Sequence, residues 1–185
     1  KNIKLLSYLL FYSLVLGLIE RTINMTNKDA VLVSACLLGV PCRYDGRLPK
    51  NVLTNETIEK LKKKFVIVPV CPEQLSGFST PRHCMEIQGG DGFNVLDKKA
   101  VVKDNTGHDV TNSIINGTYH TLKIAHITGA RFMITQKKSP TCSSKKVYDG
   151  LFKGEMIDGY GVTAALLKRN GLELIDCDEL EDYLK

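Results

Sequence analysis

The stretch from Val31 to Gly46, VLVSACLLGVPCRYDG, decides how the chain is read. Val31, Leu32, Val33 and Ser34 suit a short buried strand, because β-branched and apolar side chains pack well on a pleated surface. Cys36 follows at once, and Gly39, Pro41 and the polar run Cys42-Arg43-Tyr44-Asp45-Gly46 then break any continuation. A thiol therefore stands at a strand end. Moving outward, the same arrangement returns twice. The run Phe65-Val66-Ile67-Val68-Pro69-Val70 leads into Cys71-Pro72-Glu73, and Ala130-Arg131-Phe132-Met133-Ile134-Thr135 leads through Gln136-Lys137-Lys138 to Ser139-Pro140-Thr141-Cys142. In an open parallel sheet, ligands bind in the crevice outside the carboxyl ends of the strands. We therefore expect Cys36, Cys71 and Cys142 to converge on one metal centre.

The segments between these strands fix the fold class. Thr54 to Lys64 reads as a helix with Thr54 as cap, acidic residues early and three lysines at its end. Strand, helix and strand then form a right-handed βαβ unit. Cys71 to Arg82 has too many Pro, Gly and Ser for an element and reads as a functional loop. Residues 85–103 read as a small antiparallel hairpin inserted between sheet strands, with Gly89-Gly90-Asp91-Gly92 as a turn, since no strand and helix are expected to flank it as a phosphate loop requires. A helix capped by Asp109 or Thr111 runs to His126 and stops at Gly129, Tyr148–Gly154 and Gly159-Tyr160-Gly161 bracket a loop, and a compact helix follows over 162–169. Leu172 to Ile175 makes a last strand and Asp178 to Leu184 a last helix. The alternation predicts an α/β domain: a mainly parallel three-layer sheet, Rossmann-like, with a small inserted β-hairpin.

Composition narrows the function classes. The formal charge is +5, of which Lys1, Lys4 and Arg21 against Glu20 account for two. What remains is too mild for a nucleic-acid surface, and no basic run with interleaved aromatics is present. A small anionic or polar substrate is compatible with this charge. Residues 1–24 differ from the rest: Leu5 to Ile19 is uncharged and apolar, short for a spanning helix, and lacks a small-residue cleavage site after it. We expect Met25 to be the natural start of a cytoplasmic protein and 25–185 to be its single domain, with 1–24 an extension; the rival reading makes 5–19 a membrane anchor.

The thiols admit several chemistries. Six cysteines could pair as three disulfides, a pattern that belongs more to small loop-rich secreted domains. A structural zinc site draws on closely spaced cysteine pairs, and there is no Cys-x-x-Cys here. A cysteine nucleophile needs a nearby base, a role for which Glu73 is poorly placed in sequence. An iron–sulfur cluster accepts soft thiolates from separated loops, and three ligands on a four-iron cube leave one iron open. Spacing alone does not choose among these. Cys84 and Cys177 read as incidental half-buried side chains, and Cys42 as a spare thiol or part of the turn. His120 and His126, six residues apart, do not have a metal-ligand spacing, while His83 and His108 lie in turns.

A resemblance does choose. Cys36-Leu-Leu-Gly39, Arg43-Tyr-Asp-Gly46, Val70-Cys71-Pro-Glu73, Thr80-Pro-Arg82, Asp109-Val-Thr111, Ser139-Pro-Thr-Cys142, Tyr148-Asp-Gly150 and Gly159-Tyr-Gly-Val162 together resemble the DUF523 family from about residue 29 onward. That family includes thiouracil desulfidases, which carry a [4Fe-4S] cluster on three cysteines and remove sulfur from thiolated nucleobases without net redox change. The resemblance implies Cys36, Cys71 and Cys142 as cluster ligands and Glu73 and Ser139 as catalytic residues. In those roles Glu73 activates a water and Ser139 hydrogen-bonds the heterocycle or the departing sulfur, with Arg43 or Arg82 holding a polar edge of the substrate. Ser76, Thr141 and Ser143 depart from the usual pattern, and we expect them to alter the pocket lining. The second class of function is a non-catalytic metal-thiolate or sulfur-carrier accessory protein.

Overall fold

The computed structural model describes residues 13–16 and 28–185. Residues 13–16 are helical, and the rest of the expected apolar extension, with Met25, lies outside the described residues. No helix among the described residues is long and apolar enough to cross a membrane.

Four parallel strands form the central sheet: β1 (Ala30–Ser34), β2 (Val66–Val70), β5 (Phe132–Thr135) and β8 (Glu173–Asp176), in the order β2-β1-β5-β8. The chain steps from β1 to β2 on one side and later returns to β5 on the other, so strand order reverses between β1 and β5. That is the switch point at which such sheets open a crevice. Alternation along β1 sends Val31 and Val33 to one face and Ala30 and Leu32 to the other. On the first face they meet Leu61 of α1 (Asn55–Lys64) and Leu180 of α6 (Leu180–Tyr183). On the second they meet Leu122 and Ala125 of α4 (Thr111–Thr128) and Leu166 and Leu167 of α5 (Val162–Arg169). Three layers result, as the alternation predicted. Pro69, which cannot donate to a ladder, is tolerated because β2 is an edge strand.

The helix ends follow local chemistry. Thr54 accepts the Thr57 N–H at 3.1 Å and caps α1, while the carboxylate of Asp109 takes the Thr111 N–H at 2.9 Å at the start of α4. Gly129 ends α4 with φ of 67°, the left-handed conformation that a side chain would resist.

Three local expectations need correction. The loop after Cys71 contains a short helix, α2 (Pro72–Leu75), started by a proline at its first position. The insertion is not a simple hairpin: antiparallel β3 (Met85–Gln88) and β4 (Val101–Asp104) are separated by α3 (Gly92–Leu96). A strand and a helix therefore do flank Gly89-Gly90-Asp91-Gly92. The turn is nevertheless filled by protein, for Asp91 accepts the Phe93 and Asn94 N–H groups, and a Cβ on Gly92 would meet the Gly161 carbonyl at 2.4 Å. Lastly, the loop expected between Tyr148 and Gly161 closes with an antiparallel pair, β6 (Lys146–Tyr148) and β7 (Met156–Asp158).

Candidate active site

The ends of β1, β2 and β5 supply one cavity of about 580 Å³, lined by Cys36, Cys71, Cys142, Glu73 and Ser139 among others. Its volume falls within the range of about 300–1,000 Å³ typical of ligand pockets. Each lining residue is placed by a separate local device. Ser34 closes β1, and a single 3-10 turn over Ala35–Leu38 folds Cys36 back against the sheet end, stopped by Gly39 at φ of 82°. Cys71 precedes α2, which sits directly on Gly117 of α4: a Cβ there would lie 2.4 Å from the Pro72 carbonyl and 2.5 Å from the Ser76 nitrogen. The Cys142 loop rests on the start of α5. Carbonyls of Pro140 and Thr141 take the Val162 and Thr163 N–H groups at 2.8 and 3.0 Å, doing for that helix what a side-chain cap does elsewhere.

Cys36 and Cys42 pack together with Cys71 against them, and Ser34 hydrogen-bonds toward Cys142. The thiols oppose one another's ionisation. Contact with Cys36 leads in pushing Cys42 up to about 11, against a lowering contact from Cys71. Cys71 is raised first by Cys42 and then by burial, and burial, followed by Cys71, pushes Cys142 up to about 12. Such a set holds as thiolates when a cation supplies the missing charge.

Spacing separates one ion from a cluster. Thiolates bound at ~2.3 Å to one tetrahedral zinc lie about 3.8 Å apart. Among the described residues the His, Cys, Asp and Glu group with donor atoms all within 4.8 Å is Asp176, Cys177 and Asp178, so the Cys36, Cys71 and Cys142 sulfurs do not all lie within 4.8 Å of one another, a wider set than that spacing. A soft, spread, buried donor set fits a multi-iron cluster.

Beside the thiols lies a committed polar network. Arg82 donates from Nε to Glu73 Oε2 at 2.7 Å, and its Nη2 reaches the same oxygen and the Cys42 carbonyl. Its Nη1 goes to the Ser79 carbonyl and Thr80 Oγ1. With side-chain exposures of 5% and 11%, Arg82 and Glu73 form a buried pair whose partners are all provided by protein. This corrects the expectation that Arg82 holds substrate: it fixes Glu73. Arg43 bonds Asp45 at 3.3 Å and covers the Tyr44 ring at the cavity mouth.

On its other oxygen, Oε1, Glu73 accepts from Thr141 Oγ1 at 3.2 Å, and Thr141 Oγ1 lies 3.0 Å from Ser139 Oγ. Ser139 Oγ also accepts the Thr141 and Cys142 N–H groups at 3.2 and 3.1 Å. With Thr141 donating to Glu73, the Ser139 hydroxyl donates to Thr141, giving an ordered line Ser139, Thr141, Glu73.

All of the expected site residues meet in this cavity, together with Cys42 and Cys84. None of the four histidines lines it. Of the three departures, only Thr141 touches it. Ser76 bonds the Pro72 carbonyl at 2.8 Å and Ser143 the Lys146 carbonyl at 2.6 Å, so both shape backbone, not lining.

A family model described as 2-thiouracil desulfurase matches residues 31–179. The chain belongs to the 2-thiouracil desulfurase family. It is 44% identical over 154 residues to the uncharacterized protein YbbK of Bacillus subtilis (strain 168), covering 83% of this chain and 99% of that one. A solved structure of TudS, a [4Fe-4S]-dependent thiouracil desulfidase, matches with a TM-score of 0.73 and 35% identity, covering 84% of this chain and 95% of the other. Within this desulfurase-family chain, the sequence did not point to Thr141 as a link to Glu73, nor to Asn51 and Gln136 as lining of the same cavity. Thr141 carried one signal, its place beside Cys142; Asn51 carried none.

Proposed function

We propose that this chain is a [4Fe-4S]-dependent desulfidase that hydrolyses the C=S group of a thiolated pyrimidine such as thiouracil. A thione and water give the corresponding oxo base and hydrogen sulfide, with no net oxidation or reduction. The observation that carries this reading is the opening of three strand-end thiols onto one cavity beside a buried, ion-paired carboxylate.

Cys36, Cys71 and Cys142 would hold the cluster, whose open iron supplies a Lewis acid for the soft sulfur of the substrate. The remaining chemistry belongs to the chain. Glu73 has three of its roughly four lone-pair sites engaged by Arg82 and Thr141, which leaves about one on Oε1 for a water. Oε1 takes a proton from that water as its oxygen attacks the carbon bearing sulfur. Glu73 then returns that proton to the sulfur, takes the remaining proton of the attacking water as the C=O closes and passes it on likewise, so that both protons leave with hydrogen sulfide, while Ser139 through Thr141 keeps Oε1 in line. Arg82 holds the carboxylate still throughout. All six cysteines are free thiols, which fits a reducing compartment, and we place the protein in the cytoplasm.

The test is anaerobic purification with iron and acid-labile sulfide counted, followed by sulfide release from 2-thiouracil. Brown protein that releases many equivalents of sulfide supports the enzyme. One equivalent per chain supports the sulfur-carrier alternative, and colourless protein holding zinc removes the cluster from the proposal.

A further inference from the structure

The wall of the cavity also carries two amides, those of Asn51 and Gln136. Gln136 follows β5 at the β1/β5 switch point, where its backbone N–H donates to Ser34 Oγ at 3.1 Å. Ser34, Gln136 and Cys142 line the same cavity, so the amide shares it with the thiol set. The Gln136 side chain meets Asn51 in a reciprocal pair: Asn51 Nδ2 donates to Gln136 Oε1 at 3.0 Å, and Gln136 Nε2 donates to Asn51 Oδ1 at 3.3 Å. The second N–H of Asn51 goes to Cys177 Sγ at 2.9 Å. Gln136 is held from both ends and only 7% exposed, yet it and Asn51 both line the cavity.

Each primary amide offers two N–H donors and two carbonyl lone pairs. In a reciprocal pair, one edge combines the donor of one amide with the acceptor of the other. Cys177 occupies the edge carrying the second N–H of Asn51. The other edge keeps a free N–H on Gln136 Nε2 and a free lone pair on Asn51 Oδ1, side by side.

We propose that this edge reads the substrate, pairing with an adjacent ring N–H and carbonyl of a thiolated pyrimidine. The Gln136 N–H donates to the exocyclic oxygen, and Asn51 Oδ1 accepts the ring N–H. The sulfur to be removed then sits on the ring carbon on the other side of that N–H, and reading the carbonyl on one side of the N–H fixes which way round the ring lies. Substrates without the N–H/C=O edge leave a buried donor and acceptor unpaired, the condition under which a polar site rejects an analogue most strongly. The inference rests on the proposed desulfidase activity, and it adds the chemical feature of the base that is recognised and the residues that recognise it.

A two-by-two comparison tests it, with 2-thiouracil and pyrimidine-2-thione, which lacks the C4 carbonyl, offered to the iron-loaded wild type and to Gln136→Met. Differences in intrinsic reactivity between the two thiones cancel in the ratio of ratios. We expect the wild type to prefer 2-thiouracil in kcat/KM, and Gln136→Met to lose about 10- to 100-fold of that preference through KM, with kcat and iron content held. Uracil binding, followed by calorimetry, falls in parallel. Asn51→Asp, which keeps the acceptor but disrupts the reciprocal pair, serves as the second variant and reduces the preference in the same direction. An unchanged ratio in iron-replete Gln136→Met, with active wild type, overturns the amide assignment and leaves the desulfidase standing. Absence of sulfide release from both thiones in the iron-loaded wild type overturns both.

Discussion

Every strand of the central sheet is followed by a cysteine, yet the fourth behaves differently from the other three. Cys36, Cys71 and Cys142 follow β1, β2 and β5 and open on the cavity at the strand-order reversal; Cys177 follows β8, at the edge, and does not line it. The contrast extends to spacing. Cys177 lies with Asp176 and Asp178 in one tight group drawn from consecutive residues, and that group is already occupied by its own bonds. Asp176 accepts the Asp178 N–H at 2.9 Å, Asp178 pairs with Lys137 at 2.7 Å, and Asn51 donates to the Cys177 sulfur. Position relative to the switch point, and not residue type or the preceding strand, separates a site thiol from a bystander.

The sharpest way to break that distinction is to remove the thiols one at a time. Cys36→Ala, Cys71→Ala and Cys142→Ala are each expected to lose the cluster and all sulfide release, while Cys177→Ala keeps both iron and colour. Iron and acid-labile sulfide counts on anaerobic protein decide, and iron loss in Cys177→Ala would end the comparison.

Next in size comes the acid beside the site thiols. Glu73→Gln should retain iron and lose sulfide release by about 10²- to 10⁴-fold, the usual contribution of a placed acid–base group. A variant that turns over normally removes Glu73 from the chemistry.

Arg82→Met leaves the Glu73 carboxylate buried without its partner, and breaking such a pair costs about 3–5 kcal/mol. Urea unfolding of the metal-free chain measures this apart from cluster loss. A change below about 1 kcal/mol, the range of an exposed pair, would mean that solvent reaches the pair.

Gly117→Ala sharpens the comparison at the β2 end. The added methyl would press on the Pro72 carbonyl and the Ser76 nitrogen, both backbone atoms of the turn that carries Cys71 and Glu73. Overpacking of this kind costs about 1–3 kcal/mol, more than the ~1 kcal/mol that alanine returns in helix propensity. Thermal unfolding should show the loss, with the cluster absorption altered. Cys177→Ala, by contrast, should shift stability by about 1 kcal/mol or less.

The parallel sheet was legible because its signals are local. A run such as Val31-Leu32-Val33 declares a buried strand, Thr54 and Gly129 declare helix ends, and the alternation of the two classes leaves few topologies. The insertion was misread where local signals were weak: α3 is five residues long, and glycine opens it. The loop after Cys71 was misread for a related reason, since a four-residue helix has no periodicity to detect.

In the site, the sequence named the right neighbours but not their bonds. Cys36, Cys71, Cys142, Glu73 and Ser139 could be singled out, because each stands beside a strand end or shares a motif with a cysteine that does. Arg82 was visible, but its task was not: whether a guanidinium faces substrate or a carboxylate depends on where Glu73 falls after folding, nine positions away.

The sequence by itself determined the strands, the helices, the cysteines at strand ends and the family to which they belong, because propensity, capping and motif are properties of short stretches. Only the tertiary structure decided which strand ends meet, that Arg82 is spent on Glu73, that Thr141 links Ser139 to that acid, and that Asn51 pairs with Gln136 across 85 positions. The physical reason is that strand order and side-chain hydrogen bonds are settled by packing between segments remote in sequence, and no local pattern carries that information.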